Sequence, residues 1–184
     1  MQRQLIHGAI LLFGLSFILA SCWNEPDFDE TPKIEYFGMS PFRRLPARPV
    51  VGGGERDSVI ISVKFTDGDG DLGENTPRNK ADSAVVAERY KDGWGNYEIK
   101  TFRFVNGRFE AFDLPENRFL LFPRLTREGQ RGAIEGTLDL RQVFFYTRNA
   151  QILPVKFQIR IRDRALRVSN TIETDTIRVP ILAR

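Results

Sequence analysis

The stretch "SVIISVKFTDGDGDLGE", residues 58–74, decides the fold class and also shows where to look for chemistry. Its first half alternates. Val59, Ile61, Val63 and Phe65 fall on one side, with Ser58, Ser62 and Lys64 among those on the other. A period of two marks a strand with one buried face. The second half drops the alternation. Asp67, Asp69 and Asp71 are separated by Gly68 and Gly70, and Glu74 follows. The segment therefore reads as a core strand running straight into an acidic turn.

Working outward, the same pattern recurs. In "VKFQIRIRD" (155–163), Val155, Phe157, Ile159 and Ile161 point inward, while Lys156, Gln158, Arg160 and Arg162 face out. "AIEGTLDL" (133–140) offers Ile134, Gly136, Leu138 and Leu140 on one face. "TIETDTIRVPIL" (171–182) starts with Ile172 and Thr174 in register, then slips to Ile177, Val179 and Ile181, which predicts a bulge near Asp175. A first short strand is expected near Ile34–Phe37. The proline- and glycine-rich run 41–57 connects it to the strand at Ser58.

Asp92-Gly93 and Asn106-Gly107 are favoured tight-turn pairs, because the central residues need positive φ. Each predicts a hairpin. "ADSAVVAERY" (81–90) suits a short helix or a strand, and the turn right after it favours the strand. Pro115, Pro123 and Pro154 are expected at edges or in loops. No long amphipathic helix stands out. Many short strands with turn signals predict an all-β, antiparallel, Ig-like β-sandwich over residues 33–184.

The start of the chain carries an address. Residues 9–20 are almost entirely apolar, with Arg3 as the positive flank. The run is too short for a spanning helix and ends in small residues, the plan of a secretory signal. Leu19-Ala20-Ser21-Cys22 resembles the lipobox of bacterial lipoproteins, and Cys22 is the only cysteine. The resemblance implies cleavage after residue 21, acylation of Cys22 and attachment to a membrane. Trp23 stands where an aspartate would retain such a protein at the inner membrane, which implies the outer membrane. Residues 22–32 form an acidic tether containing Glu25, Asp27, Asp29 and Glu30, similar to the export signal of surface lipoproteins. Both the periplasmic and the outward face remain open.

Composition excludes more than it assigns. The chain has 184 residues and a formal net charge of +3, a mild balance unlike the footprint of a nucleic-acid binder. Its sole histidine, His7, lies within the leader. A processed chain has no histidine, and its only thiol is the one taken by lipid. That rules out Ser-His-Asp and Cys-His catalysis and histidine or thiolate metal sites.

The acidic turn fits hard-cation chemistry. Calcium takes six to eight oxygen ligands, often from carboxylates on a glycine-relieved loop. Asp67, Asp69, Asp71 and Glu74 are the candidate ligands. The loop is not an EF-hand, since its sixth position is Leu72 and its twelfth is Arg78. The alternative is that Asp-Gly pairs merely make good turns. In an Ig-like sandwich Asp163 would sit at the same end and join the site.

"IISVKFTDGDGDLG" and "IRIRDRALRVSNTIETDTIRV" together resemble Bacteroidota outer-membrane lipoproteins with an Ig-like or fibronectin-III-like domain, over roughly residues 58–179. Asp163, Ser169 and Asn170 match that pattern, whereas Ala165-Leu166-Arg167 departs from it. The resemblance implies fold and location.

Three functions are compatible with these residues. The first is a non-enzymatic accessory module, anchored through Cys22, that serves an outer-membrane protein partner and is braced by calcium. The second is a glycan-binding surface lipoprotein, with Trp94, Tyr97, Arg160 and Arg162 as candidate contacts. The third is a glycoside hydrolase working through paired carboxylates, the practical chemistry without histidine or thiol.

Overall fold

The computed structural model describes residues 26–40, 43–46 and 54–182. Cys22, the leader and most of the 41–53 connector lie outside them. Two antiparallel sheets pack face to face. In the first, β3 (Arg56–Asp67) is central, with β1 (Lys33–Met39) and β2 (Arg43–Leu45) along one side and β6 (Ile134–Phe145) along the other. The second runs β5 (Arg108–Phe112), β4 (Tyr97–Val105), β7 (Ala150–Ile161). The short β8 (Ile172–Glu173) and β9 (Ile177–Leu182) then share the far side of β7.

The two alternating sequences become the two central strands. In β3, Val59, Ile61 and Val63 are fully buried and Phe65 nearly so. In β7, Val155, Phe157, Ile159 and Ile161 are fully buried. Leu138, Leu140 and Phe144 of β6 and Val179 and Ile181 of β9 complete the core. Burying each such side chain contributes about 1.5–3 kcal/mol. The pleat lets β3 and β7 each give one face to this layer.

Several local expectations change. Residues 81–90 are not a strand: α1 (Lys80–Arg89) is helical. Asn79 caps it, accepting the Asp82 amide at 2.9 Å. Alanines and a good cap outweigh the two valines, of which only Val86 is buried. Asp92-Gly93 therefore ends a helix and makes no hairpin: the Gly93 amide donates to the Tyr90 carbonyl and Gly93 has φ +100°. Asn106-Gly107 does join a hairpin, β4 to β5, with φ of +52° and +81°.

The slip near Asp175 is a break between β8 and β9 rather than a bulge within one strand. Pro154 lies inside β7, a central strand. It is tolerated because β4 pairs only with residues 155–161, so at Pro154 the strand has β9 alone as neighbour.

The long segment after β5 folds back along β4. Asn96, fully buried, holds it with two hydrogen bonds of 2.8 Å, one to the carbonyl and one from the amide of Phe122. Gly95 is required there, because a Cβ would sit 1.8 Å from the Leu120 carbonyl oxygen. This brings residues 122–132 onto the 69–74 turn at the end where β3 and β7 leave the core.

Candidate carboxylate site at the strand ends

β3 ends on Asp67, and β7 passes through Ile161 and Arg162 to Asp163. Their carboxyl groups meet because the two turns interlock. The Arg164 amide donates to the Asp71 carbonyl at 3.3 Å, and the Ala165 amide to Asp71 Oδ2 at 3.2 Å. The Asp71 amide donates to Asp67 Oδ2 at 3.0 Å. Asp163 closes its own turn, its Oδ1 accepting the Arg167 amide at 2.8 Å, with Leu166 at φ +68° between them.

Asp67, Asp71 and Asp163 each present a carboxylate oxygen within 4.8 Å of the others. Asp67 and Asp163 are completely buried. Asp67 Oδ1 and Asp71 Oδ1 are buried without a hydrogen-bond partner. An isolated desolvated carboxylate oxygen is costly, and neighbouring negative charge makes it more so. Burial, followed by the charges of Asp69 and Asp71, pushes the Asp67 carboxyl up to about 7. Burial, followed by the charge of Asp163, also raises that of Asp71. The donor set is hard oxygen, as calcium or magnesium requires. Three converging carboxylates, two of which keep an unpartnered oxygen, are a donor set that could hold such an ion.

Arg167 faces this cluster. Its Nε donates to Asp163 Oδ2 at 2.6 Å, its Nη2 to Asp69 Oδ2, and the same nitrogen lies 3.8 Å from Asp71 Oδ2. Its Nη1 donates to Glu30 of the tether at 2.5 Å. Asp69 thus belongs to the arginine rather than to the group of three. Arg164 crosses the turn to the Gly73 carbonyl at 3.0 Å.

Glu74 lies elsewhere. It is buried beneath α1, paired with Arg89 and 3.3 Å from the Tyr90 hydroxyl. The Tyr90 phenol is pushed up to about 12, by burial first and the Glu74 charge second. Glu74 is thereby committed to fixing the helix.

The candidate contact residues are also committed. Arg162 is 2% exposed. It donates twice to Asp92, at 2.7 Å each, and to the carbonyls of Gly95 and Trp94. Its guanidinium stacks on Trp94 at 3.9 Å and on Tyr90 at 4.8 Å. Arg160 stacks on the same indole at 4.5 Å and donates to Glu98 at 2.6 Å. Tyr97 packs on Phe122 against the core. These four side chains pin the loop 92–97 to β7. Arg167 and Glu30, absent from the candidate set, are central to the site. The signal was the i,i+4 spacing of Asp163 and Arg167 in "DRALR".

Two predictions follow from these contacts. Asp67 holds a proton in the folded chain up to about pH 7 that the unfolded chain releases near its ordinary value of 3.8. Without divalent cations, stability is therefore full near pH 4 and declines as pH rises through 7. Thermal melts in chelator between pH 5 and 8 should show a falling Tm, flattened in Asp67→Asn. Arg162→Ala removes charge-assisted bonds to buried carbonyls and should cost about 3 kcal/mol, read by urea unfolding.

Compared with known proteins, the chain matches no family model, no curated protein and no solved structure.

Proposed function

We propose that this protein is a non-enzymatic, lipid-anchored module of the outer membrane whose β-sandwich is braced by a divalent cation, calcium by preference. One observation carries the cation: Asp67, Asp71 and Asp163 bring a carboxylate oxygen each within 4.8 Å of one another, and Asp67 and Asp71 each keep a buried oxygen without a hydrogen-bond partner. Asp69 and Glu74, both weighed as ligands, are left to Arg167 and Arg89. The anchor rests on Cys22 after Leu19-Ala20-Ser21. Two or three acyl chains there make attachment effectively permanent, since each buried methylene contributes about 0.8 kcal/mol.

A binding role suits the site better than catalysis. Carboxylates that cleave glycosides flank a cleft that admits sugar, about 5–10 Å apart. Here the three ligand oxygens lie within 4.8 Å of one another, and two of the three residues are fully buried. That spacing supports ion binding over sugar cleavage. The partner is an outer-membrane protein or a glycan, met on a surface other than the Trp94–Arg160–Arg162 stack, whose members already engage each other.

Two experiments test the reading. A labelled fatty acid fed to cells should enter the whole chain and should fail to enter Cys22→Ala. Thermal melts of residues 23–184 should show a higher Tm in millimolar calcium than in chelator, because a ligand of the folded state alone raises stability. Asp67→Asn should abolish the difference. An unchanged Tm removes the cation from the proposal.

A further inference from the structure

The carboxylate site and the membrane tether share one residue. Arg167 holds Asp163 and Asp69 with one part of its guanidinium and Glu30 with Nη1. The tether also docks on the acidic turn through its backbone. The Gly68 amide donates to the Asp29 carbonyl at 2.9 Å. Contact is so close that a Cβ on Gly68 would lie 2.3 Å from the Phe28 carbonyl oxygen. Residues 28–30 therefore rest on the same turn that supplies Asp67, Asp69 and Asp71.

We propose that Arg167 is the resident counter-cation of this site, that a divalent ion competes with it, and that binding the ion releases the tether from the domain. This rests on the cation reading of Asp67, Asp71 and Asp163. The argument is one of charge. Asp163 already accepts two bonds from Arg167, and Asp71 lies 3.8 Å from its Nη2. An ion seated between Asp67, Asp71 and Asp163 takes over the charge of Asp163, one of the three carboxylates that hold the guanidinium, and repels Arg167 across a few ångströms. Arg167 then keeps only Asp69 to position it against Glu30, and the tether is left to the weakened pair and the Gly68–Asp29 backbone bond, which we infer do not hold it alone. Glu30 is largely exposed and has no other ion-pair partner among the described residues. Linkage is reciprocal: whatever favours the docked tether opposes the ion by the same factor.

The geometry gives this a spatial meaning. Only six residues lie between Cys22 and Asp29, at most about 25 Å of extended chain from one to the other. A docked tether keeps the acidic end of the sandwich close to the membrane. A released tether extends through Glu30 and Thr31 and lets the domain swing. The cation would thus set how freely an anchored head samples partners.

The test uses residues 23–184 with a nitroxide on Asp27→Cys, the sole cysteine of that chain. Paramagnetic resonance reads the tether, and calorimetry reads calcium binding to the same samples. The expected result is a spectrum that sharpens as calcium saturates the site. Glu30→Gln, a surface change that leaves the fold intact, should show the sharp spectrum without calcium and bind calcium several-fold tighter. Arg167→Ala should do the same. Calcium binding with an unchanged spectrum overturns the coupling and leaves the cation site standing. Weaker binding in both variants overturns the competition, because Arg167 would then support the ion. Absence of calorimetric binding in every sample overturns the cation reading and the coupling with it.

Discussion

Two carboxylates buried at the ends of the two central strands set the constraint on which this end of the molecule depends. Asp67 and Asp163 terminate β3 and β7 where the apolar layer stops, and neither is exposed. Close, desolvated like charges oppose folding unless something positive is brought to them. The surrounding architecture is that response. The turn after β7 is wound so that Arg167 returns to Asp163. The turn after β3 is wound so that the Asp71 amide caps Asp67. The segment 122–132 and residues 28–30 close over the turn from both sides, through bonds to Gly70, Leu72, Asp69 and Gly68.

The strands were legible because their signal is local. Alternation over residues 58–65 and 155–161 depends only on the pleat, and each inward residue there is buried. The helix at residues 80–89 was not legible for a related reason. The turn right after residues 81–90 suggested a strand, whereas the deciding feature was Asn79 in front of them, whose side chain caps the first turn. Asp92-Gly93 was correctly seen as a turn, but the same dipeptide chemistry ends helices and joins hairpins. Of the proposed ligands, Asp67, Asp71 and Asp163 meet, and their meeting follows from placing two strand ends at one end of a sandwich. Asp69 and Glu74 diverge, because which way a carboxylate turns depends on arginines far along the chain. No local pattern encodes that choice.

Arginine rather than lysine does this work throughout. Arg162 satisfies a carboxylate and two carbonyls while lying between two aromatic rings. Arg167 reaches three carboxylates at once. Both tasks need a planar fork with several donors, and an ammonium group cannot present them in one plane. The arginines of "FQIRIRDRALR" look from sequence like one basic face. In the fold they divide. Arg160 and Arg162 tie the loop after α1, Arg164 braces the acidic turn, and Arg167 neutralises the site.

The distance along the chain between the site's members has a kinetic consequence. Asp71 meets Ala165 across 94 residues, Arg167 meets Asp69 across 98, and Glu30 meets Arg167 across 137. Contacts of that range form only after large loops close, which makes sandwiches of this topology slow folders, in the millisecond to second range. Asp67, Asp69 and Asp71 share one local turn, but Asp163 and Arg167 reach it only when nearly the whole chain has been delivered and the two sheets have met. The three carboxylates that the proposed ion needs are brought together only at that point, so such an ion would follow the assembly of the two sheets and could not nucleate it.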